Sequence, residues 1–146
     1  MDESLEKRTL RVKLESIAPV AFEAVAEGSG GKLVLDGPAE LGGQGLGMRP
    51  MELFLASIAG CAAMDVCKIL RQQREPLEKL EIEVEGIRAD AVPAPFTDVR
   101  LVFVAHGPVA PQKLDRAVRL SVEKYCSASA SLDPAIRVSF EARLAG

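Results

Sequence analysis

Residues 50–76 read PMELFLASIAGCAAMDVCKILRQQREP, and the reading of this stretch decides the fold. Pro50 suits the first turn of a helix, where its missing N–H would have had no partner, and Pro76 marks the far limit. A helix is therefore expected from Pro50 to Glu75, about 39 Å long at 1.5 Å per residue. Lys68, Arg71 and Arg74 fall near its C-terminus and complement the dipole. Between Leu53 and Met64 only Ser57 is polar. A helix apolar on every side must be covered on every side, which one small sheet cannot do, so the sequence predicts an obligate homodimer whose second subunit completes the cover.

Working outward, residues 79–88 (KLEIEVEGIR) and 98–106 (DVRLVFVAH) predict strands, Pro111 to about Tyr125 an amphipathic helix, and 135–144 (AIRVSFEARL) a last strand. Leu80, Ile82 and Val84 alternate with Glu81, Glu83 and Glu85, which describes a sheet wet outside and packed against helix inside. With Glu75 and Glu78 these glutamates read as a solvated face without chemistry. Upstream, residues 9–16, 20–26 and 32–35 predict a meander of short half-buried strands. The segment 36–49 has five glycines and a proline and reads as a flexible loop. Its Gly43-Gln44-Gly45-Leu46-Gly47 portion does not match GxGxxG, and no Gly-Lys-Ser/Thr follows, so phosphate binding is not expected. Strands and helices are segregated, so the fold class is α+β. At 146 residues and 48% hydrophobic, residues 1–146 are expected to form a single domain.

The net charge of −3, with lysines and arginines scattered among acidic neighbours, argues against nucleic acid as a partner. The N-terminal MDESLEKRTL lacks the apolar core of a signal peptide, and Leu53–Met64 falls short of the ~20 residues of a membrane span. A soluble cytoplasmic protein without a membrane partner is expected. The absence of asparagine and the four glutamines fit a heat-adapted source or a biased genome equally.

Three cysteines without a secretion signal do not describe a disulfide framework, so any disulfide would be transient and catalytic. Each thiol reads either as a small buried hydrophobe or as a sheltered nucleophile. Cys61 and Cys67 are six apart, about 120° around a helix, and are not a ready pair. Cys126 follows the second helix, 65 residues from Cys61, so only the fold could join them. His106 is the single histidine and no CxxC spacing accompanies it, so no metal is expected. Asp65, four residues after Cys61 and on the same helix face, could steer the thiol. It is read first as facing a polar gap or capping an interface arginine.

The string DGPAELGGQGLGMRPMELFLASIAGCAAMDVCKIL, followed by EKYCSAS, resembles the OsmC family (osmotically inducible protein C), which includes the organic hydroperoxide resistance proteins. The resemblance spans nearly the whole chain. It implies an intertwined homodimer with antiparallel sheet wrapped around long central helices. It also implies a peroxidatic cysteine at Cys61 and a resolving cysteine at Cys126. The first thiolate would attack the O–O bond of a hydroperoxide, leaving a sulfenic acid that condenses with the second thiol. An external dithiol, lipoyl-type in the family, would reset the pair without metal or nucleotide cofactor.

Two positions depart from the family pattern. Met51 follows Pro50 where the hydroperoxidases carry an acidic residue, and Glu52 comes one position later, about 100° around the helix. The N-terminal strands offer Lys32 in AEGSGGK where those enzymes have an arginine, which makes Arg49 the substitute cation. Cys61 lies about 16 Å into the helix, beyond the reach of its dipole, and a buried thiol without a nearby cation reacts slowly. The catalytic set implied is Cys61, Cys126, Arg49 and Glu52, with Cys67 structural. The competing reading is a non-catalytic OsmC-fold protein that binds a small apolar ligand or partner at the dimer interface.

Overall fold

The computed structural model describes Glu3 and residues 8–146. The charged segment on which the expectation of no signal peptide rests lies largely outside the described residues. The chain divides into two compact units, one ending at Leu53 and one running Phe54–Gly146.

The first unit holds a three-stranded antiparallel meander of β1 (Val12–Ala18), β2 (Ala21–Ala26) and β3 (Lys32–Leu35), in that order. The first strand begins three residues later than expected, and its side chains are exposed rather than half-buried, with Leu14 48% accessible. The alternation that predicted burial is present, but among the described residues the strand stays exposed.

The glycine-rich segment is not the flexible connection expected. Asp36 is buried, and its carboxylate accepts hydrogen bonds from the backbone N–H groups of Gly37 (2.8 Å), Gln44 (2.8 Å) and Leu46 (3.1 Å). The amides of Leu46 and Gln44, in that order of weight, hold its carboxyl below the usual range against the opposing effect of burial. The Asp36 N–H donates to the Met48 carbonyl at 3.0 Å, closing the loop onto the end of β3. Two glycines are required by this closure. A Cβ at Gly43 would overlap the Gly37 carbonyl, and one at Gly47 the Val34 carbonyl.

Helix α1 (Pro50–Gln72) starts where Pro50 predicted, its first turn in the first unit and the rest in the second. It ends three residues before the expected limit. Arg74 adopts a left-handed φ of 57°, its N–H donates to the Arg71 carbonyl and the Glu75 N–H donates to the Leu70 carbonyl. This is a Schellman closure with arginine where glycine is usual, and it stops the helix before Pro76 can. By length and composition α1 could cross a bilayer. Its ridge of Ile58, Ala62, Val66 and Leu70, at i, i+4 spacing, is buried in the protein. Ala59 is buried too, and the other faces are largely half-buried, with Phe54 and Met64 exposed, Met64 at 74%.

The second unit carries β4 (Lys79–Arg88), β5 (Phe96–His106) and β6 (Arg137–Leu144) in one sheet with β5 central. The expected alternation holds in β4, where Leu80, Ile82 and Val84 are more buried than the glutamates between them. β5 pairs antiparallel with β4 but parallel with β6, which the strand patterns did not reveal. α1 packs on this sheet through Phe54 and Phe96, whose ring centroids are 5.9 Å apart. Helix α2 (Pro111–Leu120) buries Leu114, Ala117 and Val118, and Arg119 lies 5.6 Å from the Phe140 ring centroid on β6. Its start is tied to the end of α1, because the Glu75 carboxylate accepts from the Ala110 N–H (3.1 Å) and pairs with Lys113 (3.1 Å). The Ala110 amide, then Lys113, hold the Glu75 carboxyl below its usual range.

The second helix was expected to continue to Tyr125, but regular α geometry ends at Leu120. Residues Ser121–Tyr125 form a wide turn in which the Cys126 N–H reaches back five residues to the Ser121 carbonyl at 2.8 Å. A short helix α3 (Ser127–Ala130) follows.

Candidate functional site

The wide turn is the feature that delivers the second thiol. Ser121, fully buried, donates its hydroxyl to the Ala62 carbonyl of α1 at 2.9 Å, pinning the turn to the helix one residue beyond Cys61. The wider winding then brings Cys126 down onto α1. Its thiol, 2% exposed, lies 3.9 Å from the Ile58 carbonyl, to which it can donate, and accepts the Ser129 N–H at 3.4 Å.

Cys61 is half-buried on α1. Its Sγ, the Cys126 Sγ and a carboxylate oxygen of Asp65 all lie within 4.8 Å of one another, the one such set of histidine, cysteine, aspartate and glutamate donors among the described residues. The fold therefore brings together two of the four expected site residues, Cys61 and Cys126. To join them as a disulfide, the sulfurs must close to about 2.05 Å.

Of the roles its spacing allowed, Asp65 takes a place beside the thiol and also faces a polar gap. It stands beside both sulfurs and 3.5 Å from the Ser121 hydroxyl. The i, i+4 spacing from Cys61 was the signal for this position. Ser121 had no comparable signal, because a lone serine late in an amphipathic helix gives no hint that a wide turn starts there.

Asp65 also lines a cavity of about 560 Å³, with Lys68, Gln72, Arg116, Leu120 and Tyr125 among its walls. This gives the carboxylate end of the cluster a route to solvent with two cationic side chains along it.

The other two expected residues meet each other. Glu52 is the third residue of α1, and its carboxylate accepts the backbone N–H of Arg49 at 2.9 Å. That is the reciprocal half of a capping box, a structural task at a helix start. Both belong to the first unit.

Cys67 is half-buried and lies outside the cluster, lining a separate groove with Arg71, Arg74 and Glu75. His106 sits with its Nε2 3.3 Å from Glu81 across the β4–β5 ladder, outside the Cys61–Asp65–Cys126 cluster.

Comparison with known proteins agrees with this architecture. The chain is 35% identical over 91 residues to Protein YhfA of Escherichia coli K12, covering 62% of this chain and 68% of that protein. A hypothetical protein from Aquifex aeolicus VF5 superposes with a TM-score of 0.79 at 31% identity, over 94% of this chain and 98% of that one. An organic hydroperoxide resistance protein OsmC from Legionella pneumophila shares the fold, with a TM-score of 0.65 at 21% identity over 94% of this chain and 97% of that one. A family model described as OsmC-like protein matches residues 43–141, which takes in the second half of the glycine loop, α1 and both clustered thiols, and the chain belongs to that family.

Proposed function

We propose that the protein is a thiol-dependent peroxidase that reduces organic hydroperoxides or hydrogen peroxide in defence against oxidative stress. The observation that carries this reading is the approach of Cys61 and Cys126 to within 4.8 Å of each other, from elements 65 residues apart in sequence. Cys61, the more accessible of the two, is the nucleophile. Its sulfur attacks the terminal peroxide oxygen, the O–O bond breaks, and the departing alkoxide (hydroxide when the substrate is hydrogen peroxide) leaves as alcohol or water with the proton that the thiol gave to Asp65. Asp65 is placed to accept the proton that the Cys61 thiol gives up. The Cys126 thiol then attacks the sulfenic sulfur and water leaves, giving the disulfide. A dithiol reductant exchanges with that disulfide and returns both thiols. No resident metal or nucleotide is needed, and neither nucleic acid nor a membrane enters the cycle, as suits a cytoplasmic enzyme.

The same reading includes a homodimer. The incompletely buried faces of α1 and the exposed apolar side chains of β1 are what a second copy would cover. Glu52 holds the start of α1 by capping the Arg49 N–H.

The second reading, a non-catalytic protein binding a small apolar ligand or partner, is favoured by one observation. Glu52 is engaged as a cap by the Arg49 amide and Met51 occupies the position before it, so the acidic partner of a peroxidatic thiol is otherwise occupied.

Peroxide consumption with a dithiol reductant, comparing the native chain with Cys61→Ser, separates the two. The peroxidase reading expects turnover that falls at least about 100-fold in the variant, the scale on which loss of an essential catalytic group is felt. Equal, uncatalysed rates for both proteins would leave the binding reading. Cys67→Ala is expected to retain turnover.

A further inference from the structure

The Cys61, Cys126 and Asp65 donors form more than a redox pair. Two soft sulfurs and one carboxylate oxygen, all within 4.8 Å of one another, converge from two elements of the fold. Tetrahedral zinc, with bonds of about 2.3 Å to sulfur and about 2.1 Å to oxygen, requires sulfur–sulfur separations near 3.8 Å and sulfur–oxygen separations near 3.6 Å. Side-chain adjustments of about 1 Å therefore convert the cluster into three corners of a tetrahedron. We propose that this cluster is a binding site for a thiophilic divalent cation of the zinc type.

The surroundings both favour and oppose such an ion. The Ser129 N–H already points at the Cys126 sulfur at 3.4 Å and fixes the direction of one of the three ligands, while the Ser121 hydroxyl, whose proton goes to the Ala62 carbonyl, lies 3.5 Å from Asp65 Oδ2. The cavity that Asp65 shares with Lys68 and Arg116 reaches the carboxylate ligand only, and its two cationic side chains oppose an entering cation, whose charge the two thiolates and the carboxylate must offset. Hard cations such as calcium and magnesium prefer oxygen ligands and are not served by two sulfurs. The site uses neither His106 nor a CxxC pair, the features on which the expectation of no metal rested.

Binding is a proton exchange without oxidation. One M²⁺ takes two Cys–SH groups as thiolates and the Asp65 carboxylate, releases two protons and leaves the cluster with a net charge of −1. Each sulfur then gives one lone pair to the ion, whose charge lowers the nucleophilicity of those that remain, and a disulfide would offer the ion no thiolate. Cation binding and thiol oxidation are mutually exclusive states of one site. The inference does not depend on the proposed peroxidase activity, because it concerns the reduced thiols alone.

The test uses the reduced full-length protein, stripped with a chelator, and titrated with zinc alone against a chromophoric competitor and with cadmium alone. The expected result is one ion per chain and a cadmium–thiolate charge-transfer band in the ultraviolet with the amplitude of two thiolates. Cys61→Ser should halve that band and weaken binding at least about 100-fold, and Asp65→Asn should weaken it about 10-fold, in keeping with the loss of a ligand or its support. Cys67→Ser should change neither. Far-UV circular dichroism verifies each fold. Cys61→Ser, at a half-buried position, carries the test if the buried Cys126→Ser variant does not fold. Absence of the band, or tight stoichiometric binding that survives Cys61→Ser, or binding lost in Cys67→Ser, would overturn the proposal. A protein that binds the ion but consumes no peroxide would sustain this inference while removing the peroxidase reading.

Discussion

The two units are held together by different means. In the second, Val99, Leu101, Phe103, Leu114 and Val118 are at most 1% exposed, and large aliphatic and aromatic side chains make a core of the ordinary kind. In the first, the buried described residues are Ala21, Ala24 and Asp36, two alanines and a carboxylate. That unit is organised by strand ladders and by backbone amides gathered around Asp36, while its larger apolar side chains face outward. Apolar burial and backbone hydrogen bonding are thus separated along one chain. The unit without a core is the one whose surface has most to gain from a partner.

The contrast is broken or sharpened most strongly by core truncation. Phe103→Ala should cost about 3–5 kcal/mol in chemical denaturation, as expected for a fully buried phenylalanine. Leu14→Ala, at a 48% exposed position, should change the stability of a monomer by no more than about 0.5 kcal/mol. If a second copy covers β1, the Leu14→Ala cost grows and its unfolding midpoint becomes dependent on protein concentration. Sedimentation at micromolar concentration should then give twice the chain mass. A folded monomer there would restrict the difference between the units to a single chain and remove the dimer.

Next in size is Ser121→Ala. It removes a buried hydrogen bond between the wide turn and α1, and should cost about 1–2 kcal/mol. Its second readout is the rate of Cys61–Cys126 disulfide formation, which should fall because the turn no longer pins Cys126 in place. An unchanged rate would mean that the turn holds its position without the serine. Arg74→Gly should move stability the other way, by about 1 kcal/mol, since a left-handed residue without a Cβ is unstrained at that position. Thermal unfolding measures it.

The smallest global effect belongs to the first unit. The Asp36 carboxyl is held below its usual range in the folded chain, so its contribution is fully present above the unfolded value near pH 4 and is lost as pH falls through the lower folded value. Amide hydrogen exchange should show Gln44 and Leu46 losing protection in that acid window while the amides of β5 stay protected. Simultaneous loss in both units would mean that they unfold as one and that the contrast drawn here has no energetic counterpart.

Pattern made parts of this fold legible before any coordinates. Pro50 fixed a helix start, and the Leu80-Ile82-Val84 alternation placed the faces of β4. The parallel register of β5 and β6 was not legible, because an alternating strand has the same pattern whichever way its neighbour runs. The helix end was misread because Pro76 is the visible breaker, whereas the left-handed turn at Arg74 uses a residue type that carries no such signal. For the site, family resemblance named the cysteines, and spacing alone pointed to Asp65. The wide turn that unites them is invisible in SVEKY, since one extra residue per turn leaves no mark on composition or periodicity.

That extra residue gives the thiol pair an unusual vulnerability. Removing any one position from 122–125 would let the chain relax into ordinary helix, leaving every named donor intact yet swinging Cys126 about 100° around the axis. Among descendants of such a chain, a single codon lost or regained in this segment would uncouple or restore the two sulfurs in one event. Length in this five-residue segment would then report the state of the pair more faithfully than the presence of the cysteines themselves.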